Sequence, residues 1–271
     1  MDIKPYEQAI VHSLHTYHLL TAEQLCRLHY SRGSHTYVEA RLKEMTEKRL
    51  LHRLSRSGMN FPYVYMLGIR GVRYLRALGL DVFPLHPSEH TEKSSLFLAH
   101  ILTTNDVLIA ASQLPQLVPD IQVAEMRHDL TLRRDLKNSI VPDGWIDFRI
   151  PEKTQVCIWL EVDRGTMEQK RFRQKITALL RFVNAGYRDT FSTPSLTVAF
   201  ATTAGQRRCD QIHEWIEKEL LASFQKERAD LFRIAPLPEG DIDPKELFLA
   251  PIWQVPFTNE PVSLIEFEAG E

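Results

Sequence analysis

Three segments in the second half of the chain carry charged residues that suit phosphodiester chemistry. Asp143 follows a proline, Glu161 and Asp163 lie two residues apart at the end of an apolar run, and a lysine follows further along. Carboxylates placed close together repel, so they usually bind a positive group such as a metal ion. Asp143 and Glu161 are therefore predicted Mg²⁺ ligands, because a bound metal would activate water and neutralise the leaving phosphate. Asp163 and Lys175 complete the predicted catalytic set, in which the lysine would stabilise charge on the phosphorane.

A structural interpretation of the same residues stays open. Acids are common near strand ends, and oppositely charged side chains also form ion pairs that only hold a fold together. In that case Glu161, Asp163, Arg164 and Lys175 would form an ion-pair network without catalytic function.

The hydrophobic pattern predicts the elements that would position these side chains. The segments Gly144–Ile150 and Val156–Val162 are predicted strands, and their period of two places Glu161 and Asp163 on one face. Lys175 falls at the edge of the apolar stripe of the next predicted helix, so it can reach over the sheet toward Glu161. The other predicted elements of this half are a helix from Glu92 to Leu114, strands at Ile121–Met126, Leu196–Ala201 and Leu231–Ile234, and helices from the Thr166–Gln169 cap to Gly186 and over Gln206–Leu221.

The first half of the chain shows a different pattern, that of a winged helix-turn-helix over residues 1–80. Two capping boxes predict where its second and third helices begin. A hairpin then follows the third helix, in the position of a wing. The predicted elements are helices over residues 5–19, from Thr21 to Tyr30 and from Thr36 to Lys48, strands Leu50–Leu54 and Tyr63–Leu67 around the turn Ser57–Asn60, and a closing helix over Ile69–Leu80.

The residues predicted to contact DNA lie off the apolar stripe that Val38, Leu42 and Met45 form on the third helix. Residues at the start of that helix would reach base edges, and the basic residues of the helix and wing would hold phosphates. A protein-binding winged helix with a solvated basic face is the alternative. The predicted DNA contacts are Ser34, His35, Thr36, Tyr37, Arg41 and Lys43 on the helix, and Arg53 and Arg56 on the wing.

Charge is distributed unevenly along the chain. Residues 1–80 hold 12 Lys and Arg against 6 Asp and Glu, a net charge of +6, which leaves −8 for the rest of a chain whose total is −2. A basic front on an acidic body is expected when one domain meets phosphate and the other does not.

The three cysteines are far apart, which argues against a zinc site or disulfides, and neither a secretion signal nor a long apolar run is evident. The composition therefore favours a cytoplasmic protein without a membrane span.

Taken together, these elements predict an α+β protein. A winged helix over residues 1–80 is followed by a linker at residues 81–93, an α/β domain with a central mixed sheet at residues 94–250, and a C-terminal tail at residues 251–271.

From Thr21 to Ala235 the order of elements resembles the replication-relaxation family of plasmid and mobile-element proteins. The resemblance implies a role in plasmid replication, DNA relaxation or mobilisation, and a second half similar to the PD-(D/E)XK restriction-endonuclease-like fold. That nuclease pattern has a lysine two residues after its glutamate. Asp163 stands at that place here, and Lys175 would substitute for the missing lysine. The resemblance is carried by Tyr65-Met-Leu-Gly-Ile-Arg-Gly71, His100-Ile-Leu-Thr-Thr-Asn-Asp106, Pro142-Asp-Gly144, Glu161-Val-Asp-Arg-Gly-Thr166, the helix with Lys175, and Thr202-Thr-Ala-Gly-Gln-Arg-Arg208.

Three functions remain open from the sequence. The first is a DNA-binding regulator or accessory factor of a mobile element, with a nuclease-like domain that does not cut. The second is a Mg²⁺-dependent endonuclease that its winged helix targets to double-stranded DNA. The third is a subunit of a larger assembly, in which the acidic second domain binds a protein partner. A homodimer is expected, because winged helices often bind paired half-sites.

Overall fold

A computed structural model describes residues 3–31, 33–54, 61–82, 95–136, 140–150, 154–238 and 240–267. The chain divides into two compact units, Met1–Asn105 and Asp106–Glu271. The division falls inside a long helix, later in the chain than the predicted linker at residues 81–93, of which only residues 81 and 82 are described.

The first unit has the element order of a winged helix. The hairpin predicted after the third helix is confirmed, and β3 pairs antiparallel with β2. It also pairs with β1, a two-residue strand that the sequence pattern did not reveal, so the sheet has the order β1-β3-β2. Its elements are α1 (Pro5–Tyr17), β1 (Leu20–Thr21), α2 (Ala22–His29), α3 (His35–Glu47), β2 (Leu51–Arg53), β3 (Val64–Leu67), α4 (Ile69–Ala77) and the start of α5 (Ser95–Leu117).

Burial of apolar residues holds α3 in place. Val38, Leu42 and Met45 are fully buried, which confirms the predicted stripe and leaves the opposite side of α3 to solvent. The start of α4 packs tightly on the segment just before β2, where a Cβ on Gly68 or Gly71 would lie within 2.5 Å of the backbone oxygen of Arg49 or Leu50. Only glycine permits this approach of two backbones.

The sequence predicted two helix starts incorrectly. The capping box at Thr21 is confirmed, with Thr21 and Gln24 bonding each other's backbone N–H groups. In contrast, α3 begins at His35 after Ser34 rather than at a cap on Thr36. The helix that carries Lys175 likewise begins at Gln169, three residues after the predicted cap on Thr166. Neither start depends on a side-chain cap, since Ser34 and Glu168 make no capping hydrogen bond, and packing of an apolar face supplies most of the stability of a helix.

The second unit is built on a five-stranded mixed sheet of order β4-β5-β6-β7-β8. The pairs β4–β5 and β5–β6 are antiparallel, whereas the pairs β6–β7 and β7–β8 are parallel. The predicted α+β class and mixed sheet are thus confirmed. The elements are β4 (Gln122–His128), α6 (Asp129–Asp135), β5 (Gly144–Ile150), β6 (Thr154–Asp163), α7 (Gln169–Ala185), α8 (Tyr187–Phe191), β7 (Thr197–Thr202), α9 (Gln206–Ala222), a 3-10 helix (Lys226–Leu231), β8 (Phe232–Pro236) and α10 (Pro244–Leu249).

Residues 251–267 are a packed part of the second unit rather than the predicted tail. Trp253 is buried and donates its ring N–H to the carbonyl oxygen of Leu247 at 2.7 Å. Gln254 forms a bridge with Ile234 of β8. The large apolar side chains of this segment outweigh the proline and acid content on which the tail was predicted.

Among the described residues, α5 alone is long and apolar enough to cross a membrane by length and composition. Of its most apolar stretch, 56% is buried inside the protein. The core helix of a globular protein meets the same criteria.

Candidate functional site

Asp143 and Glu161 come together through the register of β5 and β6. Gly144 pairs with Leu160, so one further step places Asp143 opposite Glu161. The Asp143 amide donates to the Leu160 carbonyl at 3.0 Å, and Asp143 Oδ2 accepts from the Val162 amide at 2.8 Å. Both carboxylates are buried. The two predicted metal ligands are therefore neighbours across the β5–β6 pair.

Lys175 of α7 reaches this pair of acids, as the helical pattern predicted. Its Nζ donates to Glu161 Oε2, and the ring N–H of Trp159 donates to Glu161 Oε1 at 2.8 Å. Burial alone would lower the pKa of Lys175, but the nearby charges of Glu161 and Asp143 outweigh burial and raise it. We call Asp143, Glu161 and Lys175 the Glu161 cluster.

Two carboxylates share one ammonium in this cluster. Burial raises the pKa of Glu161 to about 7, Asp143 acts in the same direction, and Lys175 opposes both. Burial therefore disfavours the charged form of Glu161, whereas the two nearby carboxylates favour the charged form of Lys175.

Asp163 lies on the same strand but belongs to a different set of contacts. Its two carboxylate oxygens accept from Nε and Nη2 of Arg208, both at 2.9 Å, and Oδ2 also accepts from Thr202 Oγ1 at 3.0 Å. Arg208 in turn stacks over the ring of Trp215 at 4.7 Å. Burial would raise the pKa of Asp163, but the hydrogen bonds and charge of Arg208 hold that pKa below its usual range.

The partner of Asp163 was not predicted. The structural interpretation of the sequence included Arg164, whereas the observed partner is Arg208, 45 residues beyond Asp163. The polar run Thr202 to Arg208 at the end of β7 was the available signal, because the ends of adjacent parallel strands meet at one edge of a sheet. Since Thr202 pairs with Asp163 in the β6–β7 register, the start of α9 lies beside that aspartate.

A further acid near Asp143 also escaped prediction. Asp129 begins α6, and its amide donates to the Asp143 carbonyl at 3.1 Å. Asp129 Oδ1 lies 2.7 Å from Nδ1 of His128, and Oδ2 accepts from Arg133 Nε at 3.1 Å. Burial would raise the pKa of Asp129, and the contact with His128 outweighs burial and lowers it. Asp129 was missed because α6 is a short helix that the sequence pattern did not predict.

Both predicted metal ligands accept hydrogen bonds from protein donors. Both oxygens of Glu161 accept hydrogen bonds, from Trp159 and Lys175, and one oxygen of Asp143 accepts the Val162 amide. Within the described ranges, no group of three His, Cys, Asp or Glu residues has the spacing to hold a metal ion. A Mg²⁺ ion prefers several oxygen ligands in octahedral geometry. In this structure protein donors contact both carboxylates, and Mg²⁺ binding by Asp143 and Glu161 stays a prediction.

The predicted DNA contacts of α3 lie together on the surface of the first unit. His35, Thr36 and Tyr37 at the start of the helix are exposed, and so is Lys43, whereas Ser34 and Arg41 are half-buried. We call these six residues the α3 face. Exposed polar side chains at the start of this helix are those expected to reach base edges in a winged helix.

Arg41 and Arg53, which the sequence treats alike, have different surroundings. Arg41 donates from Nη1 to Glu44 Oε2 at 3.0 Å, and its guanidinium lies 4.8 Å from the centre of the Tyr37 ring. Arg53 is exposed on β2 and stacks at 4.3 Å on the ring of Tyr63. Arg41 thus has an intramolecular carboxylate partner, whereas Arg53 is supported by an aromatic ring. The predicted contact Arg56 and the turn Ser57–Asn60 lie outside the described residues.

Comparison with known proteins identifies a family. The family model described as Replication-relaxation matches residues 11–193, which confirms the resemblance found in the sequence. No curated protein matches the chain. Among solved structures, that of Bacillus subtilis PadR in complex with operator DNA is similar at 12% identity, covering 83% of this chain and 98% of that chain. Its TM-score of 0.23 is too low for the similarity to support a conclusion about fold or function.

Proposed function

Because this chain belongs to the replication-relaxation family, we propose that it is a DNA-binding accessory factor or regulator of a plasmid or other mobile element. In this proposal the first unit binds double-stranded DNA through the α3 face and the wing. The second unit has a nuclease-like fold that does not cut, and its buried acids serve to hold the sheet and its helices together.

The observation that supports DNA binding is the exposed start of α3 in a winged-helix order of elements. Three buried apolar residues fix the helix, and the polar residues His35, Thr36 and Tyr37 face solvent. The basic excess of residues 1–80 coincides with this motif. Cations beside a helix that can enter the major groove are the features expected of a DNA-binding surface.

A salt titration tests this proposal. The full chain is titrated against a fluorescently labelled random-sequence duplex, and binding is followed by anisotropy at increasing salt. The logarithm of the binding constant is expected to fall linearly with the logarithm of salt concentration, with a slope of about −0.9 for each phosphate contact. A binding constant that does not change with salt, or no binding at low salt, would contradict the proposal.

The Glu161 cluster supports a structural role for the second unit's acids. Glu161 is almost fully buried, and each of its oxygens accepts a hydrogen bond from a protein donor. Asp163 is likewise bound on both oxygens by Arg208. These pairs link the sheet to α7 and α9, the helices on which the two basic partners lie.

A Mg²⁺-dependent endonuclease is the second candidate function, favoured by the convergence of Asp143, Glu161 and Lys175 on one site. Incubation of supercoiled plasmid with the protein, with Mg²⁺ or Mn²⁺ and with chelator, separates the two proposals. The proposal of a non-cutting domain expects no metal-dependent nicking. The endonuclease would be established instead by nicking that chelator abolishes and that is lost in Asp143→Asn. The control variant Asp147→Asn, on the same face of β5, should then still nick.

Partners and location complete the proposal. A homodimer on paired half-sites, a protein partner bound by the acidic second unit, and a cytoplasmic location are each proposed from the sequence. Light scattering of the full chain with and without duplex DNA tests the first, because a dimer on paired sites would double the protein mass per duplex. One protein chain per duplex at saturation would exclude the dimer.

A further inference from the structure

Glu44 lies on α3 among several basic side chains of the first unit. Its Oε1 accepts from Lys48 Nζ at 2.6 Å, and its Oε2 accepts from Arg41 Nη1 at 3.0 Å. Lys4 Nζ approaches to 3.9 Å. The hydrogen bonds from Lys48 and Arg41 lower the pKa of Glu44 to about 2, so the carboxylate is ionised at neutral pH. One acid thus neutralises basic groups beside the α3 face.

Lys48 and Arg41 depend on Glu44 to different degrees. Lys48 Nζ also donates to Oε1 of the buried Glu7 at 2.8 Å, so it keeps a carboxylate partner without Glu44. Arg41 has only neutral aromatic neighbours besides Glu44 among the described contacts, with its guanidinium 4.8 Å from the Tyr37 ring centre and 5.3 Å from that of Tyr6. Loss of the Glu44 charge would therefore free Arg41 far more than Lys48.

We propose that Glu44 limits the affinity of the α3 face for DNA by holding Arg41 in an intramolecular ion pair that phosphate must displace. This inference rests on the proposed function and adds a regulatory residue to it. A phosphate and the Glu44 carboxylate compete for the same guanidinium donors, since both are bidentate partners of arginine. The carboxylate also repels the DNA backbone, which raises the cost of close approach. Arginine contacts made by this face consequently depend on whether Glu44 is charged.

The test uses the full chain, a random-sequence duplex and four proteins: wild type, Glu44→Gln, Arg41→Gln and the double variant. Glutamine keeps the size of the side chain but removes its charge. The Glu44→Gln variant is expected to bind several-fold more tightly at low salt, with a salt slope steeper by roughly one as Arg41 gains a phosphate. Arg41→Gln should change the slope less in the wild-type background than in the Glu44→Gln background.

Glu47→Gln is the matched control, because Glu47 is exposed on the same helix. This substitution also removes one negative charge but leaves the ion pair between Glu44 and Arg41 in place. Equal effects of Glu44→Gln and Glu47→Gln would overturn the inference and leave only a general charge effect. Weaker binding by Glu44→Gln, with unchanged thermal unfolding, would also overturn it, since Glu44 would then orient Arg41 for DNA. A wild-type protein that binds no duplex would instead refute the proposed function itself.

Discussion

The two units of this protein treat charge in opposite ways. In the first unit, five of the seven predicted DNA contacts that the structure describes are exposed, four of them on the α3 face, and the ion pair of Arg41 lies near the surface. In the second unit, Asp143, Glu161 and Asp163 are each at most 9% exposed, and the last two are bound directly by Lys175 and Arg208. Surface charges are available to a partner, whereas buried charges already have theirs. We therefore propose that the first unit binds DNA and that the charges of the second unit stabilise its fold.

The largest expected effect comes from breaking the buried Asp163–Arg208 pair. Arg208→Met should lower the free energy of unfolding by about 3–5 kcal/mol, because it leaves the Asp163 carboxylate buried without its bidentate partner. Urea unfolding of the full chain measures the effect. Arg207→Met is the matched control, since that neighbour is exposed, and it should change stability by less than about 0.5 kcal/mol. Similar losses for both variants would mean that the pair does not hold the second unit together.

A smaller loss in the free energy of unfolding is expected when the Glu161 cluster is broken. Lys175→Met removes the ammonium that two buried acids share, and the expected loss is about 1–3 kcal/mol. The loss is smaller than for Arg208 because the Lys175 side chain is 25% exposed, so solvent screens part of the interaction. The exposed Lys170→Met variant on the same helix serves as control. Adding Glu161→Gln to Lys175→Met should restore part of the stability, and a further loss would argue against a shared ion pair.

The pKa of Glu161 predicts how stability depends on pH. Folding raises this pKa from 4.5 to about 7, so the folded protein binds the proton more tightly and its stability falls as pH rises through that window. Lys175 is charged throughout the window and contributes no slope. Glu161→Gln should remove the decline, which we expect to amount to about 1–3 kcal/mol in urea unfolding between about pH 5 and about pH 7.5. An identical decline in the variant would assign the titration to another group.

The smallest effects concern single phosphate contacts in the first unit. Arg53→Ala should weaken duplex binding and reduce the salt slope by roughly one, because Arg53 is exposed and supported by Tyr63. Arg41→Ala should reduce the slope less, since Glu44 already binds that guanidinium. A larger effect for Arg41 would show that the ion pair with Glu44 does not restrain it.

Much of the fold could be predicted from periodicity, and the failures have physical causes. The strand Gly144–Ile150 and the stripe on α3 were predicted correctly, because burial imposes its period directly on the sequence. Short or unusual elements such as β1 and the packed segment at residues 251–267 were missed, since tertiary contacts stabilise them rather than local pattern.

The candidate site was predicted only in part, for a similar reason. Asp143, Glu161 and Lys175 could be brought together from strand register and helical spacing alone. The Asp163–Arg208 pair joins residues 45 apart, and the Asp129 contact needs a helix that carries a weak pattern. Sequence spacing also cannot show that Trp159 and Lys175 each donate a hydrogen bond to one oxygen of Glu161.

One comparison of two double variants tests most directly whether the first unit binds DNA. Lys43→Gln/Arg53→Gln removes two exposed cations from the first unit, and Lys170→Gln/Arg171→Gln removes two exposed cations from α7 in the second. In salt titrations with the same random duplex, the first-unit variant should reduce the slope of the binding constant against salt by about two. The α7 variant should leave that slope unchanged. A slope that falls for the α7 variant and not for the first-unit variant would place the DNA interface on the second unit and contradict the account.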